Sequence, residues 1–491
     1  MFCHVNNSIV KGQMKGLVME EEIRMNGDWY IPETNETIAG TLYINKVQKK
    51  ILLQLTRVAA EEDFIGKIKV HGRTDIIKGT IDTGGKILLY DCTFGGQNNC
   101  LGQRTTVSAS AKAAFWNLDV ESKEELIFPK VIIDFGEIID WTGLCSFNWE
   151  FNDDYRDEKL EWNYDPDIEF EINSNIMLRI VPYLGTKEMG NITTKKVTIE
   201  QAAYMQLEYQ KAVYWDDIVR DIQVLSQLLT LGMNKAIYIE EIWYLHMSNR
   251  DEKGYISKRD AFLGNVNAGK HEAGGWMYYL FTLSDLTGNE YHCLKNWYSK
   301  YNLLGSIVEL YETAYNYSGI SSEMLFLNLT QALETYHARF VSNNIKKYIK
   351  LVDDFLRETY KLTDDDEFNK HHLSYRQILI AQDEERSRSI TLKSRLGYLF
   401  LARFEFIFEY LDYKRDEFIQ KVVDTRNYYT HYSIDKKEKI FPKYQLPYVN
   451  GILLGVLQYY ILKEIGIKDE HIKKVVHQQM AGVSHSYNIT K

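Results

Sequence analysis

Apolar and polar positions alternate in short runs through the first part of the chain, up to about residue 200. GTLYINKVQKKILLQLTR (Gly40 to Arg57) and KILLYDCTF (Lys86 to Phe94) are short apolar runs separated by Gly, Asn and Asp. IEFEINSNIMLRIVPYLG (Ile168 to Gly185) alternates over two arms, with Asn and Ser placing a turn between them. This spacing predicts the strands of a sandwich or a curved sheet. The period then changes. WDDIVRDIQVLSQLLTLG (Trp215 to Gly232) predicts a helix, NKAIYIEEIWYL (Asn234 to Leu245) returns to strand, and Tyr291 to Ala314 is helical again.

Beyond about residue 320 the pattern is helical throughout. FLNLTQALETYHARFVSN (Phe326 to Asn343) puts Leu329, Leu333, Tyr336 and Phe340 on one face. Thr391 to Leu411 predicts a long and very apolar helix, central for that reason. The next helix runs from about Arg415 to Tyr432. The last begins near Pro447, is apolar almost all round, and stops at Gly466. The fold class expected is therefore α+β and multidomain: residues 1–320 β-rich, with mixed α/β character over 200–320, then residues 321–491 as a helical bundle.

Composition supports a boundary near residue 320, where NYSGISSE (Asn316 to Glu323) signals a loop. All nine tryptophans and 25 of the 30 glycines precede it. Net charge is −13 before it and +3 after it, within a total of −10. That total argues against general coating of nucleic acid. Hydrophobic residues make up 45% of the 491, enough for sizeable cores. No apolar run reaches the roughly 20 residues of a membrane helix, because Leu396 to Leu411 carries Arg403, Glu405 and Glu409. The N-terminus lacks an apolar signal core, so the expected location is cytoplasmic. Cys3, Cys92, Cys100, Cys145 and Cys293 are scattered and form no C-x-x-C, which points away from a disulfide framework or a zinc site.

The candidate chemistry lies in TRNYYTHYS (Thr425 to Ser433). On a helix, Phe418, Val422, Thr425, Tyr429 and Tyr432 fall on one stripe, the natural core face. Gln420, Asp424, Asn427 and His431 form another. Arg426 and His431 are separated by about 140°, with Asn427 between them in angle. A solvated face, with Arg426 paired to Asp424 or another acid, is the ordinary reading of such a pattern. The functional reading is RNA cleavage. RNA carries its own nucleophile, the 2′-OH, so no metal or cofactor is obligatory. His431 can act as base or acid near neutral pH. Arg426 can hold the phosphate, and Asn427 can bond phosphate or ribose or orient His431. Asp424 is a weaker, supporting candidate, one turn from Asn427.

An all-helical C-terminal bundle, with Arg, a polar residue after it, and His a few places on, resembles the HEPN ribonuclease superfamily. RNYYTH fits that pattern. LNLTQALETYHARF looks like the opening helix of the ApeA-like HEPN domain, and the β-rich, Trp-containing region before it looks like the N-terminal domain of ApeA-type proteins. The resemblance implies a metal-independent RNA endonuclease of bacterial anti-phage defence, working by abortive infection. It also implies a homodimer that brings two copies of the motif together. The expected partners are an RNA substrate, with tRNA one possibility, a phage-derived trigger acting on a sensing or regulatory N-terminal region, and no membrane.

Other stretches are weighed against this. GNVNAGKH (Gly264 to His271) nearly matches a phosphate-binding loop, but His271 replaces the Ser or Thr that would hold magnesium. TDDDEFNKHH (Thr363 to His372) reads as an interhelical linker rather than a metal site. His337 reads as a packed or hydrogen-bonded residue, with Glu334 placed to orient it or to lie near an active groove. The tryptophans read as core. Two functional alternatives fit the same residues: a non-catalytic helical module binding RNA or protein, and a ligand-sensing β-domain whose bundle only dimerises.

Overall fold

A computed structural model describes residues 22–32, 35–58, 72–100, 104–136, 138–151, 158–162, 166–188, 198–266, 279–287, 292–316, 319–360, 380, 389–400, 404, 407–408, 411, 413–432 and 434–489. These residues form two compact units. One is drawn from Met1–Leu229, Ile237–Met277 and Thr282–Ser284, the other from Thr230–Ala236, Tyr278–Phe281 and Asp285–Lys491.

The first unit is built on one antiparallel sheet. Strands β1 (Glu22–Ile31), β2 (Glu36–Asn45), β3 (Lys50–Val58), β4 (Arg73–Ile81), β5 (Lys86–Cys100) and β6 (Arg104–Ser110) pair in the order β5-β4-β1-β2-β3-β6. Because β5 also pairs with β6, those six strands close into a barrel. Of the two arrangements expected, a curved sheet is the one that forms. Its interior is filled by every second residue of each strand, among them Trp29, Ile31, Leu42, Ile44, Leu53, Leu55, Leu89 and Val107. Trp29 is wholly buried and lies over Gly79 of β4, where an added Cβ would come within 2.3 Å of the indole.

The barrel opens into the rest of the sheet along β5. Its first half pairs with β7 (Ala113–Trp116) and its second half with β6; the partners change between Tyr90 and Thr93, and the pairing with β6 shifts register between Phe94 and Gln97. From β7 the sheet continues through β15 (Arg259–Leu263), β14 (Glu241–Leu245), β8 (Ile127–Asp134), β13 (Thr198–Tyr214), β12 (Ile176–Glu188) and β11 (Ile168–Glu171). Strands β9 (Phe147–Phe151) and β10 (Glu158–Trp162) pair separately with each other. The hairpin read from Ile168 to Gly185 is β11 and β12. Strand character within Asn234 to Leu245 is confined to β14, although Ile237 and Ile239 before it are buried. Helix α2 (Trp215–Met233) follows β13 directly, and Trp215 packs edge-on against Phe115 and Phe128. Trp29, Trp141, Trp215 and Trp297 are all fully buried, so these four are core residues.

The second unit is helical. It contains α4 (His292–Asn316), α5 (Ser322–Tyr336), α6 (Ile345–Tyr360), α7 (Leu392–Leu399), α8 (Arg415–His431), α9 (Leu446–Ile465) and α10 (Asp469–Ile489); α1 and α3 are short turns at Ile138–Thr142 and Leu283–Thr287. The N-cap Ser321 accepts a bond from the Met324 amide at 3.2 Å and starts α5. The central element is α9, apolar on all sides and packed against α4, α5 and α10. It ends at Gly466, whose φ of 92° is the left-handed cap expected there. A Cβ at Gly455 would lie 2.5 Å from Met480, so α10 packs close against α9.

Four expectations need correction. The helix near Pro447 is not the last, because α10 follows it. The buried stripe of α10 is narrow, Ile472, Val476 and Met480 at intervals of four, and is surrounded by charge. Helix α5 does not run on as an α-helix to Asn343; it widens into a π turn at His337–Val341. Tyr432 does not share the core face of α8. It is the left-handed cap of that helix, with 68% of its surface exposed. The long helix expected over Thr391 to Leu411 is interrupted: α7 ends at Leu399, Phe400 is its non-helical cap, and Ile407 and Phe408 are helical again, while residues 401–403, 405–406 and 409–410 lie outside the described residues. Thr363 to His372 and residues 267–271 of the glycine-rich loop lie outside them as well.

Candidate active groove of the helical unit

Helix α8 buries Phe418, Ile419, Val422, Thr425 and Tyr429, which is the expected stripe with Ile419 added and its last member absent. Two contacts fix its rotation. Phe418 packs against Phe400 and Phe441, and the Thr425 hydroxyl donates to the Lys421 carbonyl while accepting from the Phe441 amide at 3.1 Å. Helix α5 is fixed in turn by Tyr336, whose hydroxyl donates to a Glu464 carboxylate oxygen of α9 at 2.8 Å. The side chains left facing each other from α5 and α8 enclose a groove of about 560 Å³.

Arg426 lies in that groove. Its guanidinium is 3.8 Å from the Glu334 carboxylate of α5 and 3.4 Å from the Asn427 side-chain oxygen. The acid that Arg426 meets is therefore Glu334, across the groove, and not Asp424. Asp424 instead accepts from Gln420 at 3.1 Å, one turn back on its own helix. His431, the final residue of α8, is exposed, does not line the groove and makes no side-chain hydrogen bond among the described residues. The structure thus brings Arg426 and Asn427 together and leaves His431 and Asp424 apart from them.

Two further arginines line the groove, Arg339 and Arg395. Arg339 donates to the Leu303 carbonyl at 2.6 Å. Arg395, on α7, is almost fully buried and donates to Asn343 at 2.7 Å, to the Ser342 carbonyl at 3.3 Å and to His337 Nδ1 at 3.1 Å. Arginine only donates, so His337 must present Nδ1 as an acceptor and is neutral. Burial, and then the neighbouring Arg395 charge, push its pKa down to about 3. Tyr348 and Tyr398 close on the same ring edge-on. His337 is thus the packed, hydrogen-bonded residue expected, and its role is to hold Arg395. Sequence reasoning missed Arg395 and Arg339. A signal existed for the first: one arginine within the apolar stretch LKSRLGYL.

The groove therefore carries three guanidinium groups and one carboxylate, an anion-binding balance. Among the described residues no three His, Cys, Asp or Glu side chains are grouped as metal ligands are. Cys92 and Cys293 are buried and Cys145 is exposed. No helix among the described residues is long and apolar enough to cross a membrane.

Comparison with known proteins gives two matches. A sequence-family model described as ApeA N-terminal domain 1 matches residues 24–297, more than half of the chain. A second, described as Apea-like HEPN, matches residues 327–471 and so spans α5, α8 and the groove between them. No curated protein and no solved structure matches.

Proposed function

This chain belongs to the ApeA family, with its N-terminal domain 1 followed by its Apea-like HEPN domain, and on that premise we propose that it is a metal-independent RNA endonuclease of anti-phage defence, acting by abortive infection. One observation carries the reading: Arg426, with Asn427 beside it, shares a groove with Arg339 and Arg395. Three arginines along one concave surface supply the charge that suits a polyanion; Arg426 is the one proposed to bond the phosphate, while Arg339 and Arg395 direct donors to Leu303, Asn343, Ser342 and His337.

The chemistry follows from the substrate. The 2′-OH of RNA attacks the adjacent phosphorus, the 5′-oxygen of the next nucleotide leaves, and a 2′,3′-cyclic phosphate and a 5′-hydroxyl result. A base takes the 2′ proton and an acid gives one to the leaving oxygen. His431 does either. Arg426 holds the phosphate and stabilises the charge growing on its equatorial oxygens. Asn427 supports that contact, and Asp424 has the weaker claim. One copy of the motif supplies one His, so the active form is a homodimer in which two copies of TRNYYTHYS meet around one scissile phosphate. Residues 321–491 do the cutting. Residues 1–320 sense a phage component and restrain the nuclease, in the cytoplasm where its RNA, tRNA among the candidates, is found.

The test is to incubate the purified full-length protein with total RNA, with and without EDTA, and to sequence the new ends. Cyclic-phosphate and 5′-hydroxyl ends that survive EDTA support the proposal. A strict magnesium requirement or 5′-phosphate products defeat it. One observation favours a second reading, a binding module without catalysis: His431 does not line the groove. That reading expects retained RNA and no new ends.

A further inference from the structure

The end of α8 carries an aromatic and basic surface that the proposed cleavage chemistry leaves unused. Tyr432 follows His431 directly and caps the helix at φ 50° and ψ 38°, an uncommon backbone for a bulky side chain. Its ring is supported from beneath. Tyr428 and Tyr429 hold it at centroid distances of 5.8 and 6.4 Å and interplanar angles of 58° and 83°. Tyr429 is itself nearly buried and anchors the set. Lys443 stands near these rings, paired to Glu323 at 2.6 Å. Its side chain is 80% exposed, and Lys437, Lys439 and Tyr444 are exposed on the same connection to α9.

A single exposed aromatic is ordinary. Here the ring is braced by two others, has Lys443 near it, and is adjacent in sequence to the candidate catalytic histidine. Stacking rings among basic side chains are how proteins hold unpaired nucleotides, because every base offers a π face and every phosphate a charge. A base within a duplex has no free face to offer. We infer that Tyr432 is a stacking platform for an unpaired base beside the phosphate held by Arg426. This rests on the RNA-cleavage reading above. Arg426 and His431, which Tyr432 directly follows, are about 7.5 Å apart along the helix axis, so one strand can reach from Arg426 to the helix end that Tyr432 caps.

The test uses full-length protein and an RNA oligonucleotide methylated at every 2′ oxygen, which cannot attack its own phosphate. Binding of its single-stranded and duplex forms is followed by fluorescence anisotropy for wild type, Tyr432→Ala and Tyr432→Phe. Loss of one stacked base predicts single-strand binding about tenfold weaker in Tyr432→Ala, near wild type in Tyr432→Phe, and weak duplex binding throughout. The inference is overturned by wild type that does not bind the single strand, by unchanged binding in Tyr432→Ala, or by equal binding of duplex. It is also overturned if Tyr432→Ala turns a dimer into a monomer by native mass, which would give the surface to a second copy. The readout is independent of cutting. Absence of cleavage of ordinary RNA by wild type would sink the nuclease reading, while these binding results would still decide the platform.

Discussion

Glu334 of α5 stands 3.8 Å from Arg426 of α8, a carboxylate at the place in the groove where a phosphate would bind. Both side chains are about one-third exposed, so the pair contributes little to stability, on the order of 1 kcal/mol or less. Its effect is on charge. Glu334→Gln is expected to leave stability within about 0.5 kcal/mol of wild type. RNA binding should tighten several-fold and fall more steeply with salt, because Arg426 no longer has an internal competitor. A salt titration of RNA affinity measures this. Weaker binding by the variant would mean that Glu334 positions Arg426 instead of masking it.

Burial of His337, with the Arg395 charge beside it, gives the helical unit a pH dependence. In the folded chain His337 has its pKa pushed down to about 3 from an ordinary 6.5. The unfolded chain therefore takes up a proton that the folded chain refuses. Stability from this group is complete above about pH 6.5 and falls as the pH drops towards about 3, by up to about 1.4 kcal/mol per unit. His337→Asn should lose stability at pH 7, through lost ring packing, and the gap to wild type should narrow between pH 6.5 and 4. Denaturant unfolding of both proteins across that range is the measurement. A gap independent of pH would show that His337 is not held neutral.

Gly79 and Trp29 set the packing of the barrel. An alanine at residue 79 would press its Cβ to 2.3 Å from the buried indole, and the displacement should cost about 2 kcal/mol of stability. Near-UV circular dichroism and denaturant unfolding of Gly79→Ala would register it. Gly84→Ala, where a Cβ meets no neighbouring atom but the backbone has φ 87°, separates backbone strain from indole crowding.

Much of this was legible along the chain, for reasons that differ by element. The buried face of α8 was readable because Phe418, Val422, Thr425 and Tyr429 repeat at helical spacing. Tyr432 was misplaced because the helical wheel has no meaning past a left-handed cap. The hairpin at Ile168 announced itself by alternation, whereas closure of the barrel depends on β5 pairing with both β4 and β6, a long-range choice that no local pattern encodes. Arg426 and Glu334 can each be named from sequence, Glu334 as a residue near an active groove, but not their pairing, because they lie on different helices. Arg339 and Arg395 become part of the site only when α5 and α7 are packed beside α8.

The shared site proposed for a homodimer has its own consequence. A dimer pairing one wild-type subunit with one His431→Ala subunit has no intact pair of histidines. Its rate should fall well below half that of the wild-type dimer, since base and acid are both required. Differently tagged subunits, co-purified and assayed on one labelled RNA, give the number. A rate of one half, or full activity from protein shown to be monomeric while cutting, would place His431 with a partner in its own chain.

The central claim, that Arg426 and His431 cut RNA, is tested most directly by the single-turnover cleavage rate of folded Arg426→Ala and His431→Ala on a labelled RNA that wild type cuts. Neither side chain belongs to the buried face of α8, so both variants should keep the wild-type circular dichroism and unfolding transition. The account predicts that each loses cleavage by at least about a hundredfold, within the range removed with an acid–base group, while Asn427→Ala is only weakened. Cleavage at the wild-type rate by well-folded His431→Ala would contradict it.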